Sequence, residues 1–460
     1  MRKELTHRSG FCFSMLFAFV LLFCCSSAGY ANYALDTGLG NNGTTRTDFI
    51  TSGDDCGYSL AIDSDGRYVV AGTSGSSFAL ARYTKDGTLD TSFGNDGKTT
   101  TVFKSGSTDY GYSLAIDSDE RNVVAGCSKN GSDFNFALAR YTKDGILDTS
   151  FGTNGTMTTG FGLGTDDRVY SLAIDSDGRY VVAGYSKNGS NSDFALARYT
   201  KDGALDTSFG TNGTITTSFG SDSENCVYSL TIDSEGRHVV AGYSFNNHDF
   251  AFALARYTKD GILDTSFGKD GKTTTVFGPS TTYGLSLAID SQERLVLAGF
   301  SGSAFALARY TKDGILDTSF GENGKTTTGF GSSTNYGHSL AIDSRGRLVV
   351  AGESKNGSVN AIAIVRYKTD GKLDVSFGKN GIITTSFGLG NDDCGRSLVI
   401  DGDDRLILAG ESHNNTNYSF ALARYKEEDG ESSGGCNIPS IPALGFLFAI
   451  PIVFLSKKRK

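Results

Sequence analysis

Seven times the chain repeats the tripeptide (A/V)-R-Y, with its arginines at Arg82, Arg140, Arg198, Arg256, Arg309, Arg366 and Arg424. The successive spacings are 58, 58, 58, 53, 57 and 58 residues. A repeat at that period restricts the fold to an array of small supersecondary units that bury their apolar faces against one another. One unit, Leu89 to Tyr141, contains four short β-type runs: a Thr-rich run around Thr99–Phe103, then Tyr112–Ile116, Asn122–Ala125 and Phe136–Tyr141. Each is rich in β-branched or aromatic residues and bounded by Gly, Asp, Asn or Ser. No window carries helical periodicity over the ten or more residues that a helix needs. The 60 glycines, 4 prolines and absent tryptophan of the 460 residues suit many tight turns.

Four strands repeated seven times predict an all-β fold, a seven-bladed β-propeller of four-stranded blades spanning residues 32–426. Side-chain alternation agrees. Phe136 and Leu138 share one face, and Ala137 and Ala139 the other. Bulky and small faces on one sheet let neighbouring blades interlock, whereas a half-exposed sheet would put charges at alternate positions. A linear solenoid would need distinctive capping repeats, and none is evident. Two closures are open. Either each blade is one unit, or the Thr strand after the worn copy at Leu35–Gly43 completes the last blade and ties the chain ends together.

The string SFGxNGxxTTxFG, YSLAIDSDGRxVVAG and FALARYTKDGxLD, in that order, resembles the delta-sixty repeat, a bacterial β-propeller repeat. The resemblance covers about Ala34 to Tyr425. It implies a propeller on a secreted or surface protein, and it implies no activity.

Both ends read as addresses. Arg2, Lys3 and Arg8 precede an apolar run from Phe11 to Cys25 and a small-residue stretch ending at Ala31, the pattern of a signal peptide over 1–31. Residues 427–437 form a polar Gly/Ser linker. An apolar segment from Ile438 to Leu455 follows, ending in Lys457-Lys458-Arg459-Lys460. Eighteen residues is near the lower limit for a spanning helix, and Pro451 would kink it. Gly434-Gly435-Cys436 ahead of this segment resembles the Synergist-CTERM sorting tail, which implies export and processing near those residues. Single-span anchoring is the plainer reading of 438–460. The expected location is the cell surface or outer envelope, with the membrane contacted through the C-terminal segment.

The formal charge is −9. Loss of Met1–Ala31, with Arg2, Lys3 and Arg8 against Glu4, makes the body more acidic. Nucleic acid is therefore not an expected partner, while an envelope glycan or protein is. Cys56 and Cys394 hold similar places in units that a closed ring makes neighbours. They are a candidate disulfide if the ring radius there is roughly 6 Å, which brings Cα atoms to about 5.5 Å.

Strand alternation puts two classes of loop on opposite ends. One end is nearly constant, built of DSDGR turns and RYTKDGxLDTSFGxNG. Its recurrent Asp63, Asp117, Asp175, Asp233, Asp290, Asp343 and Asp401 suit tight turns. Asp-x-Asp-Gly is also part of a calcium loop. The second Asp becomes Glu235, Gln292 and Arg345 elsewhere, so calcium is kept only as a possible ligand and no other cofactor is expected. The other end varies, and loops on a rigid scaffold carry function. Its candidate ligand-binding residues are Asp54, Asp55, Asp166, Asp167, Asn246, Asn247, His248, Asp392, Asp393, Asn414 and Asn415. No catalytic motif stands up, and His238, His248, His338 and His413 fall at unrelated positions that suit surface or packing roles. The expectation is a surface-displayed, non-enzymatic binder. A propeller acting on extracellular polysaccharide and a passive envelope protein are the alternatives.

Overall fold

The computed structural model describes residues 33–428 apart from 50–52, 163, 222, 246–247, 332–333, 357–358 and 388–391. Among these it holds 29 strands and no helix long and apolar enough to cross a membrane. The signal-peptide and tail features, including Ala31, Gly434, Gly435 and Cys436, lie outside the described residues, as do Asn246 and Asn247.

The strands form seven four-stranded antiparallel blades. In blade one the order from the axis outward is Asp55–Ile62, Tyr68–Ser74, Ser77–Tyr83 and Lys98–Thr101. The Thr-rich run is therefore the outermost strand of the blade before it, not the first strand of the unit it opens. This settles closure. Thr44–Thr47 pairs with Tyr418–Glu427 and completes blade seven, joined there by Tyr33–Leu35. Strands also run longer than their β-branched cores, as Thr108–Ile116, Asn122–Asn130 and Asp133–Tyr141 do, and the last two meet in a tight hairpin at Asn130↔Asp133.

Each seam between blades holds one apolar cluster, seven in all. Phe78 and Leu80 of blade one pack on Ala137 and Ala139 of blade two, the bulky-on-small interlock expected from the alternation. Ile407 and Phe420 of blade seven meet Leu60 and Ala81 of blade one, so the ring is closed.

The repeated residues are consumed by this architecture. Each (A/V)-R-Y arginine is buried and pairs with an aspartate at 2.7–2.8 Å, as Arg82 does with Asp90. Arg82 also lies over the Phe93 ring and donates to the Lys143 carbonyl of the next blade. In the seventh copy the partner of Arg424 is Asp36, 388 residues away, and the carbonyl is that of Lys85 in blade one. At each DSDGR-type turn, one aspartate oxygen accepts two backbone N–H groups and the other accepts the arginine, as in Asp63 with Asp65, Arg67 and the Arg67 guanidinium. A cation at these turns would have to displace that arginine.

Candidate functional site

The inner strands surround the axis. In all seven, pairing to the second strand slips by one residue just before a repeated Ser-Leu, for example between Gly57 and Ser59. The extra residue is a β-bulge, which re-aims a side chain. The sequence opposite the bulge permits it. Gly72 pairs with Gly57, and a Cβ on it would lie 1.9 Å from the Cys56 carbonyl oxygen, so only glycine fits. Below the bulges, each serine hydroxyl accepts the next blade's leucine N–H at 2.9–3.1 Å. These seven bonds close on themselves from Ser397 to Leu60.

The seven bulged residues are Tyr58, Tyr112, Tyr170, Tyr228, Leu285, His338 and Arg396. All line one axial cavity of about 490 Å³, together with Tyr283 and Phe300. Four consecutive tyrosines form a crescent with ring centroids 5.2, 5.0 and 4.8 Å apart. Tyr243 and Phe300 extend it through contacts to Tyr283. Burial raises the tyrosine pKa values, so these phenols remain neutral hydrogen-bond donors. The cavity sits near the start of the inner strands, under the variable end.

The opposite wall is polar. Arg396 donates Nη2 and Nε to Glu411 Oε1 at 2.6 and 3.1 Å, and its Nη1 is 3.3 Å from His338 Nε2. His338 Nε2 is 3.5 Å from Glu353 Oε1. Burial pushes the His338 pKa down, with Glu353 opposing and Arg396 reinforcing the shift. Burial opposes ionisation of Glu353, but His338 and Arg396 outweigh it and hold the carboxyl below its ordinary value. Of His238, His248, His338 and His413, it is His338 that lines the cavity. His238 takes the expected packing role, buried edge-on against Phe209 with Nδ1 at the Thr258 carbonyl.

The loop residues singled out from sequence divide differently. Asp55, Asp167 and Asp393 are fully buried and not available to a ligand. Each accepts the backbone N–H of a phenylalanine, Phe49, Phe161 or Phe387, at 2.8–2.9 Å and so anchors the loop leading into its own inner strand. A charged pair in a loop reads as solvated from sequence, yet strand alternation turns its second member inward. Asp54 and Asp392 stitch seams, accepting the Tyr418 and Asn360 N–H groups of the preceding blades. Asn414 caps its own hairpin turn, where Asn415 adopts φ 75°. His248 is exposed at the rim. Among the described residues of this set, Asp166 approaches the cavity, lying 3.4 Å from Arg168 and 3.5 Å from the Tyr185 hydroxyl beside Tyr170.

The Cys56–Cys394 bridge is not formed; both are free thiols, as are Cys127 and Cys226. The two sit on adjacent inner strands, but each faces an acidic side chain instead of the other cysteine. Cys394 lies beside Glu353, and Cys56 beside Glu411. Burial and the Glu411 charge push the Cys56 thiol up to about 12.

Strict period-two alternation along Tyr112–Ile116 hides the cavity, because it places Tyr112 on the Leu114 face. The bulge breaks that period. The available signal was variation inside a constant block: the residue before Ser-Leu changes from Tyr to Leu, His and Arg while its neighbours repeat.

No curated protein matches the chain. Among solved structures, one of streptogramin B lyase aligns with TM-score 0.51 at 11% identity, over 87% of this chain and 100% of that one. A structure of the polysaccharide lyase Uly1 gives 0.47 at 11% identity over 86% and 92%. A PL25 ulvan lyase gives 0.49 at 12% identity over 84% and 96%. At these identities the likeness is one of fold alone. The DUF5122 β-propeller domain, of unknown function, matches residues 64–93, 118–151, 176–209, 235–267, 294–320, 346–377 and 402–431. One match falls in every blade, and the chain therefore carries seven DUF5122 β-propeller repeats.

Proposed function

We propose that this chain is an exported, non-enzymatic recognition protein that binds a sugar residue of an envelope glycan in the axial cavity beneath its variable end. The observation that carries this reading is the tyrosine crescent. Aromatic faces accept the apolar C–H face of a pyranose, neutral phenols donate to its hydroxyls, and concave apolar cavities with a few polar groups are the usual form of small-ligand sites. Arg396 is already paired with Glu411, which favours a neutral sugar over an anionic one. The exported location rests on the basic-apolar-small N-terminus and the apolar tail.

The test is a binding screen of residues 32–430 against glycans, peptidoglycan and whole envelopes, with and without calcium. Saturable binding to a neutral glycan, lost in Tyr112→Ala and Tyr170→Ala and kept in Asp54→Ala, is expected. A folded protein that binds none of these, or whose binding ignores both tyrosines, overturns the reading. A second reading, action on an extracellular polysaccharide, is favoured by the His338–Glu353 pair in the cavity wall. New reducing ends from a polysaccharide, abolished by His338→Ala, would replace the first reading with this one.

A further inference from the structure

We propose that His338, Glu353 and Cys394 form a metal site in the wall of the axial cavity, selective for a borderline divalent cation such as Zn²⁺. One donor atom from each of the three lies within 4.8 Å of the other two. They come from two adjacent blades: the inner and second strands of blade six and the inner strand of blade seven. An imidazole nitrogen, a carboxylate oxygen and a thiolate sulfur are the donors zinc takes. Bond lengths of about 2.0 Å to nitrogen or oxygen and about 2.3 Å to sulfur place tetrahedral donors roughly 3.5 Å apart. Rotation of side chains that already converge on one point supplies that contraction without moving a strand.

Charge supports the assignment. Glu353 and Glu411 bring two carboxylates to a buried wall that holds a single guanidinium, Arg396. Glu411 Oε2 is buried without a hydrogen-bond partner. Isolated buried charge is costly. A divalent ion that displaces the Cys394 proton to solvent, forming the metal–sulfur bond, brings the cluster to neutrality. Metal binding at His338 Nε2 has to displace one contact of Arg396, that of Nη1, while the pair with Glu411 can stay. Two of its nitrogens are committed to Glu411, and only Nη1 turns toward His338.

Among the described residues the constellation occurs at one seam. The neighbouring seam repeats the thiol–carboxylate pair as Cys56 and Glu411, but Arg396 stands where His338 stands in blade six. With three protein ligands, the remaining coordination position faces the cavity, as in sites that keep an exchangeable ligand. The inference stands apart from the sugar reading, because its probe is the metal alone.

The test uses the full-length, reduced protein, stripped with chelator. Titration with Zn²⁺ by calorimetry and with Co²⁺ by absorption should give one ion per chain, proton release and a thiolate-to-cobalt charge-transfer band. Cys394→Ser and His338→Ala should remove the band, and Cys127→Ser should keep it. Glu353→Gln preserves shape should the cysteine variant fail to fold, and it should weaken binding by at least about tenfold. Absence of stoichiometric binding, or a band that survives both Cys394→Ser and His338→Ala, overturns the proposal.

Discussion

Two aspartates make the same bond in different topologies, which turns ring closure into a measurable quantity. Asp148 pairs with Arg140 eight residues away inside one blade, whereas Asp36 pairs with Arg424 across 388 residues. Both arginines are almost fully buried. Removing the partner of a buried charge costs about 3–5 kcal/mol. The lower end applies, because each arginine keeps a carbonyl and a tyrosine hydroxyl: Lys201 and Tyr180, or Lys85 and Tyr68. Asp148→Ala and Asp36→Ala should therefore lower global stability alike, by about 3 kcal/mol. Local opening should separate them. The segment 33–47 is held by strand pairing, by buried Leu39 and by Asp36. Losing about 3 kcal/mol of that attachment raises its open population by roughly a hundredfold. Arg46 lies in this segment, so trypsin under native conditions reports the open state when reclosing is fast. Cleavage after Arg46 should speed up about a hundredfold in Asp36→Ala and stay near wild type in Asp148→Ala. Equal acceleration in both variants, or none in Asp36→Ala, would show that the ion pair does not hold the ring shut.

Four further outcomes are expected. Burial opposes ionisation of Asp36, Asp90, Asp148, Asp206, Asp264, Asp317 and Asp374, but backbone donors, the paired arginine and, at all except Asp36, a serine hydroxyl outweigh it and lower every pKa. Their contribution is present above the unfolded value of about 3.9 and lost as pH falls through the folded values, so urea midpoints should hold above about pH 5 and drop toward pH 2; a flat profile contradicts this. Gly126→Ala would set a Cβ 1.9 Å from the Tyr110 carbonyl oxygen and should cost about 3 kcal/mol or more by chemical denaturation, whereas Gly402→Ala meets open space and should change stability by less than about 0.5 kcal/mol. The thiols of Cys127, Cys226 and Cys394, buried and raised in pKa, should resist an aromatic disulfide reagent until the protein unfolds; fast native labelling would place them at the surface. Tyr170→Ala should abolish ligand binding in a protein that stays folded, its ring lining the cavity; loss of the folded state would make the crescent a structural element.

The fold was legible because repetition reports burial. The Phe-Ala-Leu-Ala alternation of Phe136–Ala139 recurs in six of the seven blades, and the arginines of the (A/V)-R-Y copies recur because each makes the same ion pair with an aspartate seven times. The order of strands within a blade was less legible. A Thr-rich run at the start of a unit pairs backward with Phe136–Tyr141-type strands, and nothing in its composition states a direction. The site was the least legible part. Loop carboxylates such as Asp55 and Asp167 look solvated until strand alternation turns them inward, and the bulge that sends Tyr112 to the axis leaves no mark in a period-two pattern.

Seven-fold repetition also explains why the axis is the place to look for activity. A position used by the scaffold must satisfy the same contacts in seven copies, so substitution in one copy breaks a bond the other six still make. The bulged position is exempt. Its side chain leaves the sheet and lines the cavity, where its neighbours are other bulged residues and side chains of the second strands such as Glu353, Glu411 and Tyr185. Four copies hold tyrosine, and the others hold leucine, histidine and arginine, without altering the serine ring beneath them. That freedom turns a symmetric channel into a cavity with an aromatic side and a polar side. Directional recognition of an asymmetric ligand requires such a difference, and among the described residues facing the axis the break in symmetry is sharpest where His338 and Arg396 interrupt the tyrosines.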